Sequence, residues 1–231
     1  MNSNNIISKK KDILSYLSKR QVKNAFKSLI NLSVNLQDWQ ILERLNELER
    51  NYKFMLHYLF EGIEDTEREN VYRNLLRSLY ELTDDVSDEL LKVESSNIFY
   101  ERLRIHSLKN QYSISEFGNQ LTEVVDLLSL ADLIEDASEK EYRKKDLSIK
   151  RERIGSEMFN SIFISPRAEK KDLNSYIAFF ENNNIPAREK CLLISALTLS
   201  LFHRLDVVKV QALMHVSTSQ NISLRARAMV G

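Results

Sequence analysis

Four glycines and two prolines are spread over 231 residues. Average usage supplies roughly 7% glycine and 5% proline. Sheet proteins draw on these residues, and on Asn-Gly turns, at every reversal of the chain. A chain so poor in them is restricted to long elements with few reversals, which means helices. The apolar spacing agrees. Val22, Phe26 and Leu29 mark one face. Trp39, Leu42, Leu45, Leu48, Tyr52, Met55 and Leu59 mark another, at steps of three and four. Val71, Leu75, Leu79 and Leu82 mark a third. No stretch alternates with period two between turn residues, so no sheet is predicted. The fold class is read as all-α.

Helix boundaries are marked by short polar motifs. Thr66-Glu67-Arg68-Glu69, Ser113-Ile114-Ser115-Glu116 and Ser138-Glu139-Lys140-Glu141 fit the capping box, in which the hydroxyl accepts from the amide three residues on and the glutamate reaches back. Ser165-Pro166 fits an N-cap followed by proline in the first turn, and Pro186 fits a helix opening, because a missing N–H costs nothing there. Residues 138–153 run from acidic (Glu139, Glu141) to basic (Lys150, Arg151, Arg153). That order suits the helix dipole and predicts one long helix reaching Phe159 or Ile162. Asn182-Asn183-Asn184 is the clearest loop; Gly62 with Asp65, and residues 109–113, are the next breaks. Helices shorten after Ser165, which suggests an N-terminal helical region over 1–165 followed by a second region over 166–231.

The charge balance is zero overall but uneven. Residues 1–37 carry seven bases and one acid, and residues 38–101 carry sixteen acids and seven bases. Such asymmetry signals either a partner or two regions lying against each other. Lys19, Lys23 and Lys27 recur at steps of four beside Val22 and Phe26, as a basic stripe would. The single cysteine, Cys191, excludes an internal disulfide, and residues 1–11 have no apolar run of the signal-peptide kind. The longest apolar run, 192–202, is interrupted by Ser195, Thr198 and Ser200 and falls short of the roughly 20 residues a membrane requires. It reads as a buried helix of a cytoplasmic protein.

From Pro186 the pattern changes. An almost wholly apolar helix runs to His203, Asp206 caps a short helix through Met214 and His215, 217–221 is a polar turn, and Ser223 starts a third helix. Residues 223–231 overlay 186–194 at an offset of 37. Arg188 falls on Arg225, Lys190 on Arg227, Cys191 on Ala228, Leu192 on Met229 and Leu193 on Val230. A period in the high thirties, and the phrase Ser223-Leu224-Arg225-Ala226-Arg227-Ala228, resemble HEAT or armadillo-type α-solenoids over about 186–231. The resemblance implies stacked antiparallel helix pairs in a superhelix and a protein-interaction scaffold with no shared catalytic residues. A second overlay, 49–61 on 69–81 at an offset of 20, is weaker.

Other chemistries lack their residues. The glycines are isolated, so no phosphate-binding loop is formed. His57, His106, His203 and His215 are far apart, and none sits in a helical metal-ligand spacing. Cys191 reads as a small apolar filler, the acids Asp84, Asp85, Asp88 and Glu89 as capping and dipole partners, and the aromatics from Trp39 to Phe60 as core. No catalytic residue, cofactor or metal site is expected.

The expectation is a non-enzymatic helical-repeat scaffold that binds another protein or another domain of a longer chain. The alternative is a nucleic-acid-binding α-solenoid using Lys19, Lys23 and Lys27, with the salt dependence that phosphate contacts impose. The last helix breaks off without a polar capping unit. An N-terminal fragment of a longer repeat protein is therefore expected, with Met229, Val230, Leu213 and Val216 at an apolar edge open to self-association.

Overall fold

The computed structural model describes residues 2–34, 36–62, 66–106, 112–165 and 167–230, with His106 described by its backbone alone. Eleven α-helices are present and no strand occurs among the described residues. They fall into two compact units, Met1–Arg104 and Ile105–Gly231. Residue 165 lies inside the second unit.

The first unit contains α1 (Ser3–Ser18), α2 (Val22–Ser33), α3 (Trp39–Phe60), α4 (Arg68–Glu94) and most of α5 (Ile98–His106). The core comes from the faces read in the sequence on α2 and α4: Val22, Phe26, Leu29, Leu79 and Leu82 are all buried, as are Ile6, Ile13 and Leu17 of α1. On α3 most of the expected face turns inward: Leu45 is buried, with Ile41 beside it, and Leu42, Leu48, Tyr52 and Met55 are half-buried. The other aromatics read as core are not, since Trp39, Phe54, Tyr58 and Phe60 are all exposed, Phe60 to 85%. Arg44 pairs with Asp85 at 3.0 Å, so the start of α3 lies against the late part of α4 and the two run antiparallel. The uneven charge finds part of its use here, since basic α1 packs on acidic α4, with Lys10 to Asp84 at 2.9 Å.

The second unit contains α6 (Ile114–Ala131), α7 (Ala137–Ile164), α8 (Lys170–Glu181), α9 (Ala187–His203), α10 (Val207–Ser217) and α11 (Ile222–Val230). Contacts run in two rows. In one row α8 packs on α6 and on α10; in the other α9 packs on α7 and on α11. Within the second row α7 and α9 run parallel, because Arg151 meets Glu189 and Gly155 meets Leu192, at offsets of 38 and 37 residues. Pairs such as α6 and α7 are antiparallel: Asp132 meets Lys144 and Glu123 meets Lys150. One core joins all six helices, with Phe117, Leu121, Met158, Phe179, Leu193, Leu197, Leu213 and Leu224 among its members. That shared core is why the chain does not divide at Ser165.

The helix starts separate local signals that suffice from those that do not. Ser113 and Glu116 form the expected capping box, with the Ser113 N–H donating to the glutamate at 2.6 Å. Asp206 caps α10 as expected, accepting from the amides of Val208 and Lys209. Elsewhere a neighbouring acid or amide takes the role. Asp136, not Ser138, caps α7, and Asn221, not Ser223, caps α11. Glu169 is the N-cap of α8 and forms a capping box with Asp172, while Ser165 closes α7. Glu67, which makes no side-chain capping bond, precedes α4 in place of a Thr66 box. Residues 63–65, 107–111 and Pro166, on which further breaks were expected, lie outside the described residues.

Candidate functional site

The lysines expected to form a stripe are not carried by one helix. Lys19 is the C-cap of α1, and the chain then turns through Arg20 at φ 56° before α2 begins. Lys23 and Lys27 stand one turn apart on the exposed side of α2. None of the three ammonium groups has an ion-pair partner among the described residues.

The second unit presents a cleft of about 610 Å³ along its second row, walled by α7, α9 and α11. Gly155 lets α7 approach α9 closely, since a Cβ there would stand 3.2 Å from Leu192 Cδ2. Gly155, Cys191 and Leu192 make a small, mostly apolar floor. Cys191, read from the sequence as a small apolar filler, is half-buried and lines the cleft.

Three guanidinium groups reach this cleft, one from each helix. Arg151 of α7 makes a bidentate bond to Glu189, with Nε to Oε1 and Nη2 to Oε2 both at 2.7 Å. Glu189 is 4% exposed, so the pair is held in a partly dry setting where removing one partner strands the other's charge. Glu189 also sits in the first turn of α9, where the helix dipole favours an acid. Arg188 of α9 approaches Glu152 at 3.4 Å with both side chains about two-thirds exposed, at 68% and 63%. Such a pair contributes little, on the order of 0–1 kcal/mol. Arg227 of α11 donates from Nε to Ser195 Oγ at 2.8 Å and has no carboxylate partner among the described residues. In its lining the cleft therefore holds one neutralised pair, one exchangeable pair and one open cation.

The sequence overlay set Arg225 opposite Arg188, whereas the structure brings Arg227 into the cleft instead. The signal for Arg151 was present, because stepping back 37 residues from Arg188 lands on it.

A second polar cluster ties the loop after α7 to α10. Asp206, 5% exposed, accepts from Ala168 N at 2.7 Å through the oxygen not used in capping α10. Lys209, 3% exposed, donates to Ser165 Oγ at 2.8 Å. Burial pushes its ammonium down to about 8, opposed by Asp206 and assisted by Arg204. Burial, with Asp172 and Asp206 nearby, pushes the Tyr176 phenol up. These groups are packed inside the fold and act as a fastening.

His57 pairs with Glu61 on α3, His203 ends α9 and His215 of α10 lies 3.2 Å from Glu181. No group of three or more histidine, cysteine or acidic side chains suited to a metal ion occurs among the described residues. No helix among the described residues is long and apolar enough to cross a membrane. Comparison with protein-family models, with curated proteins and with solved structures finds no match.

Proposed function

We propose that the second unit is a short α-solenoid of three helix pairs and that the protein is a non-enzymatic scaffold, binding a segment of a protein partner in the cleft along α7, α9 and α11. The observation that carries this reading is the cleft itself, which crosses three successive helices of one row. Stacked-helix surfaces of this kind suit extended peptides and docking helices. A volume of about 610 Å³ falls in the range of ligand-binding clefts and accommodates only a few residues of a partner. The free thiol of Cys191 suits a reducing, cytoplasmic setting.

Panning a random-peptide display library on the full chain tests the reading. Ser156 is exposed on the cleft wall, so Ser156→Trp fills the cleft without entering the core. Enriched peptides should bind the parent protein and lose binding to S156W. Absence of enrichment, or binding indifferent to S156W, overturns the proposal.

Lys23 and Lys27, without ion-pair partners among the described residues, support a second reading in which α2 contacts nucleic acid. Two phosphate contacts would give a salt slope of about −2 in log K against log salt, lost in the Lys23→Gln/Lys27→Gln double variant.

A further inference from the structure

We infer that the cleft along α7, α9 and α11 selects an acidic peptide, with a ligand carboxylate on Arg227 and a second one exchanging onto Arg188; this deepens the scaffold reading and rests on it. The inference starts from the accounting of charge in the lining. Arg151 and Glu189 cancel each other through two 2.7 Å bonds and are not available to a ligand. Arg227 is different. Its Nε donates to Ser195, which orients the guanidinium plane, while the terminal nitrogens have no acidic partner among the described residues. A planar guanidinium fork oriented in this way takes a carboxylate through two parallel hydrogen bonds. Arg188 is paired only with the solvent-exposed Glu152 at 3.4 Å, so a ligand acid can replace that partner at little cost.

The other features narrow the class. No described residue of the lining carries an aromatic ring on which a base could stack. Three arginines against two glutamates leave a net single positive charge, enough to choose a carboxylate and too little to hold a nucleic acid by counterion release. Gly155, Cys191 and Leu192 in the same lining offer a surface to a small apolar side chain. An extended segment that alternates acidic and small residues meets all of these features at once.

Fluorescence polarisation on the full chain at low ionic strength tests this with three labelled probes: an alternating glutamate–alanine octapeptide, its glutamine–alanine counterpart, and a short oligothymidylate of the same charge. The acidic peptide should bind, with the neutral peptide and the oligonucleotide each weaker by about tenfold or more. Arg227→Gln should weaken the acidic peptide by about tenfold, Arg227→Lys less, because charge is kept and the fork is lost. Arg153→Gln, on α7 outside the cleft and paired with Glu157, should leave binding unchanged. Equal binding of the neutral peptide, stronger binding of the oligonucleotide, no binding of the acidic peptide, or indifference to R227Q overturns the inference. The display experiment separates this failure from that of the scaffold reading: enriched neutral or basic sequences that are sensitive to S156W refute the acidic class and leave the scaffold standing.

Discussion

Lys209 shows how one buried side chain makes the stability of this protein depend on pH. In the unfolded chain a lysine titrates near 10.4. In the fold, burial holds Lys209 near 8, so its charged form is disfavoured there. Below about pH 8 both states are protonated, and the cost of carrying the charge into the fold is fully present. Between about 8 and 10.4 the unfolded state holds more protons than the folded one, so the contribution to stability rises with pH. The shift corresponds to a gain on the order of 3 kcal/mol across that window. Urea unfolding at a series of pH values should show the rise in the parent protein and its absence in Lys209→Met. A Lys209→Met variant with the same slope would mean that the ammonium is solvated. The neighbouring carboxylate of Asp206 explains why the cost is tolerated, since it opposes the shift while capping α10 and binding Ala168.

Among the elements, the turn between α1 and α2 carries a local conflict. Gln21 N bonds Tyr16 O at 2.8 Å and Arg20 N bonds Leu17 O at 3.0 Å, the double closure of a helix end that places its C′ residue in the left-handed region. Glycine is the residue suited to that position, yet Arg20 occupies it at φ 56°. A left-handed non-glycine residue is strained by roughly 1–2 kcal/mol. Arg20→Gly should therefore raise stability by about 0.5–1 kcal/mol, after allowing for the extra freedom of glycine in the unfolded chain. A lowered urea midpoint in that variant would show that the arginine side chain makes a compensating contact. The same turn explains why Lys19 does not continue the spacing of Lys23 and Lys27. The periodicity ran on through a helix end that the sequence did not mark with glycine. On α3 the aromatics Trp39, Phe54, Tyr58 and Phe60 were read as core, but packing on α2 and α4 covers only the side that carries Leu45, so they stay exposed.

For the molecule as a whole, the division at 104/105 has an energetic consequence. Leu79 is fully buried in the first unit, and Leu197 is fully buried in the core shared by α6 to α11. Truncating either to alanine should cost about 2.7–5 kcal/mol, the span set by how far the surroundings relax. The two residues belong to different cores and share no partner, so the double variant should equal the sum within roughly 0.5 kcal/mol where unfolding remains two-state. A larger coupling in denaturant titrations would refute separate cores. At the C-terminal end, Met229 and Val230 are 72% and 90% exposed, but Leu213 and Val216 are covered rather than open. Leu224 and Ala228 of α11 join the same core, which is enough to seal that side of α10.

What the amino-acid sequence determined by itself is the part of the structure governed within about four residues. Scarce glycine and proline, with apolar steps of three and four, required helices. Ser113 with Glu116, and Asp206, announced their caps because hydroxyl or carboxylate and amide are neighbours in the chain. The offset of 37 has a counterpart in one contact, since Gly155 of α7 meets Leu192 of α9 at that spacing. The tertiary structure alone decided that the aromatics Trp39, Phe54, Tyr58 and Phe60 of α3 stay outside, where the two cores separate, and which arginines share a cleft. Arg151 meets Glu189 across 38 residues and Arg227 meets Ser195 across 32, so no single period places both. Helix register is the sum of many distant side-chain contacts, each too weak to be read from one position, and it is this sum that leaves Arg227 without an acidic partner among the described residues.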